Sequence, residues 1–137
     1  MDAPAVLVVG ETPSLGRSVV DLLETANVPS HFIYDLGAEP SPSKISERYP
    51  VVIAVCNEHY CATGRRWIRG ELPGVALVVV GSRDQSIQTV PGIRIVPLPL
   101  EPGPFVALIS GLLASAQDAG PSRGTVRRGT PAGVSTR

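Results

Sequence analysis

Hydrophobic positions along this chain alternate between two periods. Val6-Leu7-Val8-Val9, Val51-Val52-Ile53-Ala54-Val55 and Val75 through Val80 are short unbroken apolar runs, ended by Gly10, Cys56 and Gly81. Runs of that length, rich in β-branched residues and bounded by turn formers, predict strands buried on both faces, as in a parallel sheet. His31 to Tyr34 and Gly92 to Val96 predict two further strands.

Between the runs the spacing becomes helical. Thr12-Pro13 supplies an N-cap and a proline at the first helical position, and Leu15, Val19, Leu22, Leu23 and Ala26 then fall on one face, until Asn27 to Pro29 end the helix. Ser41-Pro42 repeats the signal before a brief helix, Ser43 to Arg48. Residues 58–71 predict a third helix with Tyr60, Trp67 and Ile68 inward, closed by Pro73-Gly74. Gly64 costs it about 1 kcal/mol relative to alanine. Ser82 to Pro91 leaves room for a short helix or a loop. Phe105, Leu108, Ile109, Leu112 and Leu113 predict a last helix from near Pro104 to between Ala116 and Ala119.

Strands alternating with helices, joined by right-handed crossovers, give a parallel sheet covered on both faces. The prediction is a flavodoxin-like α/β fold of strand order 2-1-3-4-5 with a shortened fourth helix. Ligands of such sheets bind beyond the carboxyl ends of the strands, where strand order reverses. Gly10, Glu11, Thr12, Cys56, Asn57, Gly81 and Ser82 should line that crevice.

A length of 137 residues fits one domain, and the 43% apolar content is mostly aliphatic. The longest apolar runs fall well short of the ~20 residues of a membrane helix, and no basic-then-apolar leader opens the sequence, so a soluble cytoplasmic protein is expected. Formal net charge is zero but uneven. All twelve acids precede residue 120, whereas Arg123, Arg127, Arg128 and Arg137 follow it, leaving the first 120 residues acidic. Residues 1–118 are read as the domain and 119–137 as a disordered basic tail rich in Gly, Pro, Ser and Thr. Such a tail offers phosphate contacts, but a solvated end is the simpler expectation, and nucleic acid is not expected as a partner.

The opening Val-Leu-Val-Val, followed by two loop positions and Pro13-Ser14-Leu15, resembles a response-regulator receiver domain over residues 5–116. The resemblance implies clustered acids holding magnesium, an aspartate that accepts phosphate, a hydroxyl residue ending the fourth strand and a lysine after the fifth. This chain departs from that set. The acidic loop positions are Gly10 and Glu11, the acceptor position is Cys56, and Gly81 takes the hydroxyl position with Ser82 one residue later. The lysine position falls on Leu98-Pro99-Leu100 or Gly103-Pro104-Phe105, and the chain's only lysine is Lys44. The resemblance thus implies a degenerate pseudo-receiver that is not an enzyme, needs no cofactor and works by protein contact.

Two other readings stay open. Cys56 and Cys61, with His59 between them, offer a thiol redox pair whose reactivity an imidazolium and a helix start would raise. The spacing is not C-x-x-C and a cytosolic chain keeps its thiols reduced, so packing is the simpler role. His31 is too remote in sequence to complete a zinc site readily. The loop from Gly10 to Gly16 also resembles that of nucleotide-sensing Rossmann modules of potassium-uptake regulators, with Thr12, Ser14 and Asn57 near the ligand and Asp35 where a ribose-binding acid sits. Its glycines do not match G-x-G-x-x-G, Glu11 opposes an anion and Pro13 removes a donor.

Arg65, Arg66 and Arg69 with Glu71 read as a solvated helix face. Pro97, Pro99, Pro102 and Pro104 stiffen an extended segment, and Leu98 and Leu100 within it would be costly to expose together. With Phe105 they form the expected interface for a protein partner or a second copy of the chain.

Overall fold

The computed structural model describes residues 6–35, 45 and 47–118. Five strands form one all-parallel sheet of order β2-β1-β3-β4-β5. They are β1 (Val6–Gly10), β2 (Ser30–Ile33), β3 (Val51–Val55), β4 (Ala76–Val80) and β5 (Ile93–Val96). Val6 pairs with Ser30 on one side and Val51 on the other, Val51 with Ala76, and Leu77 with Ile93. The fold is flavodoxin-like α/β, as the alternation of periods predicts.

The central strands β1 and β3 are buried at every position, while β2 and β5 are half-exposed edges. The period of two divides the strand residues between two cores. Val6, Val8, Val51, Ile53, Val55, Val78 and Val80 meet α1 (Pro13–Thr25) and α4 (Pro102–Asp118) through Val19, Leu23, Phe105 and Ile109. Leu7, Val9, Val52, Ala54, Leu77 and Val79 meet the other layer through Ile45, Tyr49, Cys61, Leu72 and Ile87. That layer holds α2 (Ala62–Ile68) and the short α3 (Gln85–Gln88). Burying one such aliphatic side chain contributes about 1.5–3 kcal/mol, so two apolar faces hold the sheet between its helices.

Helix α1 starts and stops where expected. Asn27 takes a left-handed φ of 61°, the Val28 amide donates to Leu23 and the Asn27 amide to Glu24. This pair of bonds is a Schellman closure, in which Leu23 and Val28 share one apolar cluster. Of the brief helix expected at Ser43 to Arg48, Ile45, Glu47 and Arg48 are helical, whereas Ser43, Lys44 and Ser46 lie outside the described residues. The expected tail, 119–137, also lies outside them.

The third predicted helix is shorter than 58–71. It begins at Ala62, after an exposed loop from Asn57 to Tyr60. Tyr60 and Ile68, expected inward, are 48% and 43% exposed. Tyr60 precedes the helix and places its ring 4.2 Å from the Arg65 guanidinium carbon, and Ile68 is the last helical residue. Trp67 does turn inward, donating from Nε1 to the Val75 carbonyl at 2.9 Å. Gly64, which weakens the helix in isolation, sits in a tightly packed position. A Cβ there would lie 3.1 Å from Cys61 Sγ and 3.2 Å from Ile87.

Candidate functional site

Loops at the carboxyl ends of the strands enclose a cleft of about 670 Å³. Thr12, Cys56, Gly81, Ser82 and Leu98, singled out from the sequence, border it together with Leu15 and Ile95. The switch point in strand order lies between β1 and β3, and there the side chains turn to structural bonds.

Gly10 ends β1 beneath the ring of Phe32. A Cβ on Gly10 would sit 2.4 Å from Phe32 Cε1, and one on Gly16 of α1 would sit 2.7 Å from the same atom. The two glycines let strand and helix close around one aromatic ring, which also meets the Arg17 guanidinium carbon 5.1 Å from its centroid and the edge-on ring of Tyr34 at 4.9 Å. The space that a carboxylate at position 10 would need is occupied.

Glu11 survives as an acid but is committed elsewhere. Its carboxylate accepts from the Thr63 amide at 3.0 Å, the Thr63 hydroxyl at 2.6 Å and the Ala62 amide at 3.3 Å, capping the start of α2. Glu11 thus cross-links the first loop to α2. Thr12 stands at the N-cap of α1, yet its hydroxyl donates 3.2 Å to the Cys56 carbonyl and makes no cap bond.

Cys56 and Cys61 are joined by a disulfide, with Cα atoms 4.9 Å apart. Both are buried in the core. Cys56 prolongs β3, Cys61 is the N-cap of α2, and Cys61 Sγ accepts from the Gly64 amide at 3.2 Å. His59, expected beside the sulfurs, is exposed and lies 3.9 Å from Glu58.

Sequence reasoning missed Asp84, the most heavily bonded side chain of the site. Its buried carboxylate accepts from Arg65 Nε and Nη2 at 2.9 Å each, from the Cys61 amide at 2.6 Å, and from the Ser86 amide and hydroxyl at 3.0 and 2.7 Å. The Arg65 guanidinium holds the carboxyl well below the usual carboxylate range, aided by the backbone and serine donors and opposed by burial. Asp84 caps α3. An aspartate just before a short helical segment was the readable signal, but its partner 19 residues upstream was not. Arg65 stays partly exposed while its guanidinium turns to Asp84. Arg66, half-buried, and Arg69, exposed, each donate from Nε to Glu71, at 2.7 and 2.9 Å. Both arginines lower the Glu71 carboxyl from its ordinary value.

At the end of β4, Gly81 adopts φ 74°, and a Cβ would meet Leu98 Cδ1 at 2.9 Å. The Ser82 hydroxyl accepts from the Asp84 amide at 3.2 Å and reaches the Glu58 carbonyl at 3.5 Å. Because β5 ends at Val96 and Pro104 lies inside α4, Leu98-Pro99-Leu100 occupies the loop after the last strand. Phe105, expected at the interface, is a core residue of this domain. It is 3% exposed and packs against the sheet with Ile109. Leu98, by contrast, is 48% exposed. Ser14 and Asn57 are exposed, and Asp35 is exposed beyond the end of β2. None of the three borders the cleft.

No protein-family model, curated protein or solved structure matches this chain. Among the described residues, no helix is long and apolar enough to cross a membrane.

Proposed function

We propose that this chain is a non-enzymatic, receiver-like regulatory module that acts through contact with another protein and does not depend on phosphorylation. The observation that carries the reading is an exposed apolar groove of about 610 Å³. Leu98, Pro99, Leu100 and Pro102 form one wall, Leu15 and Leu22 of α1 form the other, and Ser18 is its polar member. A lining with no charged side chain fits an apolar, uncharged segment of a partner protein. The structural use of Gly10, Glu11, Cys56 and Gly81 supports the same reading, since the receiver stations serve packing and cross-linking.

The test has two arms. Sedimentation at rising concentration asks whether a second copy fills the groove, and Leu98→Glu should then weaken association without changing the circular dichroism. Wild type and variant sedimenting alike as monomers would remove self-association. An amide NMR titration with magnesium and beryllofluoride forms the other arm, and shifts confined to the surroundings of Gly10 and Cys56 would overturn independence from phosphorylation.

A second reading, a thiol redox sensor, is favoured by the Cys56–Cys61 disulfide at the cleft. Intact mass before and after dithiol treatment tests it. A reversible change of two hydrogens that Cys56→Ser abolishes is expected, and thiols that never reoxidise would end it.

A further inference from the structure

Glu11, Cys56 and Cys61 come from three separate loop positions, yet a carboxylate oxygen and the two sulfurs all lie within 4.8 Å of one another. We propose that reduction of the disulfide converts this cluster into a site for a thiophilic divalent cation of the zinc class. The inference rests on the thiol redox reading, because the bonded sulfurs cannot serve as thiolate ligands until they are separated.

The chemistry balances with a small dithiol as reductant. Its thiolate attacks one sulfur of the pair, the S–S bond breaks and a mixed disulfide forms. The second thiol of the reductant then closes its own disulfide and releases Cys56 and Cys61 as thiols, having supplied two electrons and two protons. The incoming cation displaces both thiol protons to solvent and binds two thiolates and one carboxylate.

The protein around the cluster suits that donor set. Zinc takes sulfur at about 2.3 Å and carboxylate oxygen at about 2.0–2.2 Å, so tetrahedral ligands stand roughly 3.3–3.8 Å apart. Shifts on the order of 1 Å from the present separations suffice. The Gly64 amide on Cys61 Sγ and the Thr63 and Ala62 donors on Glu11 hold two of the ligands in place. Such outer hydrogen bonds orient ligands and favour their charged forms. Glu11 Oε1 carries only the 3.3 Å bond to Ala62, which makes it the oxygen available to a metal. Cys56 also borders the cleft of about 670 Å³, so a fourth position opens toward solvent there. Two thiolates select a soft ion over magnesium or calcium.

Cobalt(II) is the probe. The full chain is reduced anaerobically with a dithiol, freed of reductant and titrated with Co²⁺, then with Zn²⁺ in competition. One equivalent should bind with a thiolate-to-cobalt charge-transfer band that Zn²⁺ abolishes, and the air-oxidised chain should show none. Glu11→Gln replaces the anionic ligand by a neutral one and should weaken binding by about 10-fold or more, at least the loss seen when only an outer orienting group is removed. Cys56→Ser leaves one thiolate and should weaken binding and at least halve the band. Reduced protein without the band overturns the proposal, as does a disulfide that resists the dithiol in the native state or a band and affinity undiminished in Cys56→Ser. The oxidised and reduced wild type already decide the matter if the serine variant fails to fold. Thiols that are free on isolation and never pair would end the redox reading while leaving the cobalt result to stand or fall on its own.

Discussion

Phe32 lies over Gly10, so that a Cβ added to Gly10 would sit 2.4 Å from Cε1 of the ring. A side chain at position 10 therefore requires the ring to move. Gly10→Asp should destabilise the domain by about 2–3 kcal/mol through overpacking and a buried charge. Phe32→Ala should cost about 2 kcal/mol, less than a fully buried phenylalanine because the ring is half-buried. Combined, the two changes should cost clearly less than the sum, and denaturant melts of the four proteins measure that coupling. Additive costs would mean that the ring does not determine which residue fits at position 10.

Asp84 gives the acid limb of the stability profile. Its folded-state pKa is depressed, so the unfolded chain takes up the proton first as pH falls. Its contribution is therefore complete above the unfolded value of about 4 and declines as pH drops through the lower, folded value. Asp84→Asn should lower stability at pH 7, and the gap to wild type should narrow below about pH 4. Urea melts from pH 7 to pH 2 would show this, and a constant gap would remove Asp84 as the source.

Replacing Asp84 by alanine also removes the α3 cap and leaves the Cys61 amide without its acceptor. A loss of about 3 kcal/mol is expected from these two terms together. Hydrogen exchange should then quicken first at Cys61 and around Ser86. Uniform quickening across the sheet would show instead that the pair stabilises the domain only globally.

The disulfide closes a loop across a sequence separation of only five residues. Loop entropy for so short a ring amounts to about 2 kcal/mol, so reduction should lower unfolding stability by about that much without unfolding the domain. Melts with and without dithiol, read beside circular dichroism, check both parts. Complete unfolding on reduction would exclude the reduced cluster as a functional state.

Leu98→Glu places a charge in the exposed apolar groove beside a residue already 48% exposed. Its effect on monomer stability should stay within about 0.5 kcal/mol, as for other surface changes. Phe105→Glu, which charges a residue 3% exposed, should unfold the domain. The contrast separates contact surface from core, and equal losses would place Leu98 in the core as well.

Much of the fold was legible because burial on both faces writes an unbroken apolar run, as in Val51 to Val55, and burial on one face writes the spacing of Leu15, Val19 and Leu22. Asn27 announced its helix end because few residues tolerate a left-handed turn. The start of α2 was not legible. Nothing local distinguishes Tyr60 in a loop from Tyr60 in a helix, and the boundary follows from Glu11 and Asp84 reaching Thr63 and Cys61 across 52 and 23 residues.

The sequence by itself determined the order of strands and helices and the parallel sheet, since these depend on residue type and short-range period. Tertiary structure alone decided what the residues at the strand ends do. Phe32 fills the space over Gly10, Glu11 ties the first loop to α2, Arg65 grips Asp84, and Cys56 meets Cys61 at the cleft. Hydrogen bonds, ion pairs and ring contacts act over a few ångströms of space, and only the folded sheet brings those residues within that reach.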